Sequence, residues 1–156
     1  EIRWRNKAQH NLSRISCLLT YMKGYDRQEW RPSPVLSSVV TGKKELLFAL
    51  HKLGPKITII TDGSNGSYLC DGARCLKADV LPVDAYERTG AGDAFGSGSL
   101  SAIIKGKTLE EALVWGTANS ASVIGYTGPQ KGLLKLEEMP EWEERIKSSG
   151  AKVTQI

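Results

Sequence analysis

Apolar positions recur at helical spacing in KKELLFALHKLGPK, where Leu46, Leu50 and Leu53 share one face with Leu47 beside them. Gly54 and Pro55 follow as a stop, so the pattern predicts a helix that ends there. The next run, KITII from Lys56 to Ile60, is β-branched and too short for a helix, which predicts a buried strand. SYLC and RCLK flank Asp71 and Gly72 and predict a hairpin, and a further short strand is expected around Val80 to Val83. AFGSGSLSAIIKG is small and apolar, with Phe95, Leu100, Ile103 and Ile104 to bury and Gly106 to stop it, so a helix packed in the interior is expected. In TLEEALVWGTANSASV, Thr108 and Glu111 have capping-box spacing, and Leu109, Ala112, Leu113 and Gly116 give an apolar stripe. The tail predicts a helix entered at Pro140 and a final short strand. Helices feeding short strands define an α/β class.

Composition narrows the class without naming a chemistry. The 156 residues are 40% apolar and 24% charged, which suits one globular domain with a real core. The longest apolar runs, ISCLLTYM and KITII, fall short of the roughly 18 residues that a membrane span needs, and no charged-then-apolar leader opens the chain, so a cytoplasmic protein is expected. Of the cysteines Cys17, Cys70 and Cys75, one has no partner, and His10 and His51 offer no metal-ligand spacing. Packed, reduced thiols are the expectation, although Cys70 and Cys75 can face each other across the predicted hairpin. The net charge of +4 belongs to residues 1–34, which hold seven Lys and Arg against three Asp and Glu, whereas the rest of the chain is balanced. That segment has neither helical nor strand periodicity and ends in RPSP, so it reads as a solvated extension, 1–34, preceding a domain of residues 35–156. The alternative is a nucleic-acid contact, with Trp4 and Trp30 stacking on bases beside the basic residues.

The stretch ERTGAGDAF carries the most chemistry. Gly90, Ala91 and Gly92 have no bulk, so their backbone N–H groups can approach a ligand closely. They stand where a loop becomes a helix N-terminus, and free amides with the positive end of the helix dipole make an anion site there. Asp93, on the first turn, either offsets the dipole or takes part in chemistry. Competing phosphate motifs are absent: the window from Gly90 ends in Phe95 where a dinucleotide fingerprint needs glycine, and no Walker sequence occurs. A hydrolase has no G-x-S-x-G anchor.

TGAGDAF with its small-residue helix, the TDGSNG strand end before it, and TLEEALVWGTANSASV with a glycine loop after it together resemble the carboxyl-terminal half of ribokinase-like carbohydrate kinases of the phosphofructokinase B type. The resemblance runs from about Val35 to the end. It implies a layered α/β sheet with helices on both faces, truncated in that the amino-terminal sugar-binding half and the lid are missing. It implies ATP with Mg2+ as cofactors and a sugar or nucleoside hydroxyl as acceptor. Asp93 would then be the catalytic base, and Gly90, Ala91 and Gly92 the anion hole. Thr61, Asp62, Gly63, Gly66 and Thr89 would lie at the nucleotide phosphates and ribose, with Asn119 and Gly128 near adenine. Asn119 equally suits a buried helix asparagine with a structural hydrogen bond.

Three departures accompany the resemblance. Glu87 and Arg88 replace an Asp-Thr pair, which removes the basis for a monovalent-cation site and leaves Arg88 either near phosphate or in solvent. No Asn is followed three residues later by Glu, the element associated with magnesium. The absent half implies a complementing chain or homo-oligomer to cover an unpaired edge or apolar face. A catalytically silent ATP-binding module is the alternative to a kinase.

Overall fold

Residues 16–20 and 42–156 are described by the structure, a computed structural model. The expectations placed on Trp4, Trp30, the basic residues of 1–34 and the boundary at residue 34 lie outside the described residues. Five strands form one sheet in sequence order: β1 Ser16–Thr20, β2 Ile57–Thr61, β3 Ser67–Cys70, β4 Cys75–Ala78 and β5 Val153–Gln155. Each neighbouring pair is antiparallel. Helices α1 (Lys43–His51), α2 (Ala91–Ile104), α3 (Leu109–Val123) and α4 (Met139–Ser148) pack around it.

Strand alternation decides what covers each face of the sheet. Ile59, Leu69, Leu76 and Ala78 point to one side, where Phe95 of α2 and Leu113 of α3 bury them. Ile60, Cys70 and Cys75 point to the other, against Leu46, Leu47 and Leu50 of α1. The expected arrangement of helices on both faces is therefore found. A further layer forms beyond α3: Met139 and Ile146 of α4 join Ala112, Trp115 and Ala118 in one cluster, and Trp115 Nε1 donates to Glu143 Oε1 at 2.6 Å. The tail folds as anticipated, with Pro140 in the first turn of α4 and β5 closing the sheet.

Small residues in α2 serve contact between helices. A Cβ at Gly98 would stand 2.7 Å from the Trp115 carbonyl oxygen, and one at Gly116 would collide with Ser99 Oγ and the Phe95 ring. Glycine at both positions lets α2 and α3 lie against each other, and the rest of the sheet-facing layer follows from that approach. The capping box at the start of α3 is present in full: Thr108 Oγ1 accepts from Glu111 N at 3.2 Å, and Thr108 N donates to Glu111 Oε2 at 2.8 Å.

Several local expectations are corrected. Val80 to Val83 is irregular rather than a strand, although Leu81 is buried in the outer cluster. Helix α1 stops at His51, two residues before Leu53, which is 44% exposed. Ile104 ends α2 on the solvent side at 75% exposure, and Leu100 and Ile103 are half-buried. Cys70 and Cys75, expected as separate thiols, face each other across the hairpin with Cα atoms 4.2 Å apart and are joined as a disulfide. The intervening turn is held by Asp71, whose Oδ1 accepts from Ala73 N and Arg74 N at 2.9 and 2.7 Å. These backbone donors, Arg74 first, hold the Asp71 carboxyl below its ordinary range.

Candidate nucleotide site

Two chain segments that are distant in sequence meet at one cleft of about 450 Å³. Thr61, Gly63 and Gly66 line it from the end of β2, and Ala91 and Gly92 line it from the start of α2. The strand end turns sharply through a 3-10 segment, Gly63–Asn65, and leaves it at Gly66, whose φ of +94° suits glycine. A Cβ there would also collide with the Ala78 carbonyl, so the turn can press against β4 only without a side chain.

Gly90 caps α2 in the left-handed region at φ +82°. A Cβ at this position would come within 2.6 Å of Pro129 Cβ, so the loop after α3 closes directly over the glycine turn. Ala94 N donates to Gly90 O at 2.8 Å, and Ala91 N donates to Arg88 O at 3.3 Å. The N–H groups of Gly92 and Asp93 have no hydrogen-bond partner among the described residues. Those are orphan donors of a helix start, directed where the dipole is positive. Asp93 is exposed beside them, and its carboxylate makes no hydrogen bond or ion pair among the described residues.

Other expected site residues have different surroundings. Asp62 lies in an adjoining pocket of about 500 Å³, where its Oδ2 meets Lys43 Nζ at 2.7 Å and accepts from Asn65 Nδ2 at 3.1 Å. Asn119 is 4% exposed, and its amide is committed to protein groups. Nδ2 donates to Ala94 O at 2.8 Å and to Ser97 Oγ at 3.2 Å, and Oδ1 accepts from Leu134 N at 2.9 Å. These are structural bonds, and they tie α2, α3 and the following loop together. Thr89 and Gly128 converge on Glu87, whose Oε2 accepts from Gly128 N at 2.9 Å. Donation from the Thr89 hydroxyl, then from Gly128, holds the Glu87 carboxyl below its usual range.

Sequence reasoning missed the far wall of the cleft. Thr117, Ser120 and Ala121 of α3 and Ile124 just after it line it along with Phe95. Their signal was the small and polar run TANSAS opposite the apolar stripe of the same helix. No helix of the described residues is long and apolar enough to cross a membrane.

Comparison with known proteins places this geometry in a family. Residues 25–136 match the pfkB family carbohydrate kinases, and the chain belongs to that family. Over 76 residues it is 41% identical to the ATP-dependent 6-phosphofructokinase of Thermoanaerobacterium thermosaccharolyticum, covering 49% of this chain and 24% of that protein. Over 80 residues it is 40% identical to the fructoselysine 6-kinase of Escherichia coli, covering 51% and 31%. The structure of Arabidopsis thaliana ribokinase complexed with ribose and ATP superposes with a TM-score of 0.59 at 25% identity, covering 65% of this chain and 33% of that one. The fold is ribokinase-like, and the chain spans about a quarter to a third of the length of these relatives.

Proposed function

We propose that this chain binds ATP and contributes the anion hole and the base for phosphoryl transfer to a sugar or nucleoside hydroxyl. The observation that carries the reading is the pair of unpartnered amides at the start of α2, that of Gly92, which lines the cleft, and that of Asp93 next to it, whose carboxylate is exposed and makes no hydrogen bond or ion pair among the described residues. Phosphoryl transfer needs charge stabilisation and positioning more than covalent help, and these groups supply both. ATP, when bound, supplies the electrophilic terminal phosphorus. The Asp93 carboxylate takes the proton of the acceptor hydroxyl as its oxygen bonds to that phosphorus and the bond to the bridging oxygen breaks. Gly90, Ala91 and Gly92 shape the turn, and its free amides, those of Gly92 and Asp93, face the developing negative charge. Thr61, Gly63 and Gly66 form the opposite wall along the phosphates. Thr89 and Gly128 act through Glu87 to hold the turn and the loop above it, and Asn119 fixes α2 against α3.

The cleft fits the phosphates of a nucleotide, because its amides and small residues leave room and donors. Magnesium fits less well. Among the described residues no three His, Cys, Asp or Glu side chains converge on one point, and Asp62 is held by Lys43 and Asn65. No step is assigned to magnesium or to a monovalent cation.

The test is Asp93→Asn, assayed with labelled ATP against a panel of sugars and nucleosides. A positioned base contributes about 10²–10⁴-fold in rate, so turnover should fall by that order while ATP affinity stays near that of the parent. A variant that turns over like the parent removes the base assignment. Stabilisation by ATP with no transfer by the parent to any acceptor would favour a silent nucleotide-binding module.

A further inference from the structure

We propose that Arg88 is a ligand of the nucleotide's phosphate chain, a contact that makes the cleft select by phosphate number. The inference rests on the nucleotide site proposed above and deepens it. Arg88 lines the cleft beside Ala91 and Gly92, and among the described residues it is the one cation that does so. Its guanidinium makes no ion pair among those residues. The one carboxylate lining the same cleft, Asp79, is turned to other partners: Oδ1 is 3.5 Å from Lys77 Nζ, and Oδ2 accepts from Lys152 N at 3.2 Å. Arg88 therefore stands as a cation without an ion-pair partner on the wall that also carries the orphan amide of Gly92.

Phosphate oxygens suit both elements at once, because they accept from amides and from the planar fork of an arginine. Glu87, the neighbour of Arg88, turns to the Gly128 amide and forms no ion pair with Arg88 among the described residues.

The experiment is calorimetric titration of the parent, Arg88→Ala and Arg88→Lys with ATP, ADP and adenosine at two salt concentrations, with thermal melts to verify folding. Loss of a charge-assisted hydrogen bond corresponds to about 10- to 100-fold in affinity. Arg88→Ala should weaken ATP by that factor and ADP by less, leave adenosine unchanged, and reduce the salt dependence of ATP binding. Arg88→Lys, which keeps the charge without the fork, should fall between. Equal weakening of all three ligands overturns the proposal, since it would show an effect on cleft shape. ATP affinity unchanged in Arg88→Ala also overturns it and leaves the nucleotide site standing. A parent that binds no ATP overturns both.

Discussion

Replacing Gly98 with alanine tests whether the close approach of α2 and α3 builds the site. The new Cβ would lie 2.7 Å from the Trp115 carbonyl oxygen and 3.1 Å from Asn119 Cβ, whereas ordinary contact begins at 3.4 Å. A carbonyl held in a helix cannot turn aside, so α2 and α3 must separate. Separation also stretches the Asn119 bonds to Ala94 O and Ser97 Oγ, which cross the same interface. Two terms oppose each other: alanine gains about 1 kcal/mol of helix propensity, and overpacking costs about 1–3 kcal/mol. With the backbone as the obstacle the overpacking cost falls in the upper part of its range, about 2–3 kcal/mol, and a net loss of about 1–2 kcal/mol is expected. In a chain of this size that lowers the melting temperature by about 2–8 °C. Gly116→Ala meets Ser99 Oγ and the edge of the Phe95 ring, side chains that can shift, so its loss should be smaller. Urea denaturation of both variants gives the comparison. Gly98→Ala equal to or more stable than the parent, or less damaging than Gly116→Ala, would refute the packing argument.

Leu47 is fully buried between α1 and the sheet, and Leu47→Ala should destabilise by about 2–5 kcal/mol by leaving a cavity, read as a drop in the urea midpoint. The α3 cap predicts a pH dependence. Lys107 and the Thr108 amide hold the Glu111 carboxyl down at about 2 against an ordinary value of 4.5. Its contribution is therefore present above about 4.5 and disappears as pH falls from there towards 2. The Lys107 ammonium is shifted upward from 10.5 by Glu111, so its share is complete below 10.5 and is lost as pH rises through the raised value. Melting curves of Glu111→Gln across pH should show a flatter acid limb; an unchanged limb would contradict the assignment.

Local signals were legible in the sequence wherever neighbouring residues settle the outcome. The Thr108–Glu111 capping box, the hairpin around Asp71 and the glycine turn at Gly90 each depend on residues a few positions apart. Which side of an element meets another layer is decided elsewhere. Leu53 and Ile104 continue apolar patterns yet stay in solvent, because no other described residues cover the end of α1 or the last turn of α2. The run of small residues in α2 signalled burial, but its reason is the opposing helix, visible only once Gly98 and Gly116 are in contact range. Cys70 and Cys75 follow the same logic, since their pairing depends on a register that places them directly opposite. Asn119 and Arg88 carried two readings each, because a residue name does not say which way a side chain turns.

The bracket formed by Glu87 with Gly128, and by Gly90 under Pro129, joins positions 41 apart in the Glu87 case. During synthesis the glycine turn leaves the ribosome well before the proline that roofs it. The glycine turn therefore gains this bracing late, after the whole of α3 has been translated and has folded back. Until then the newest part of the chain leaves the older part without its roof.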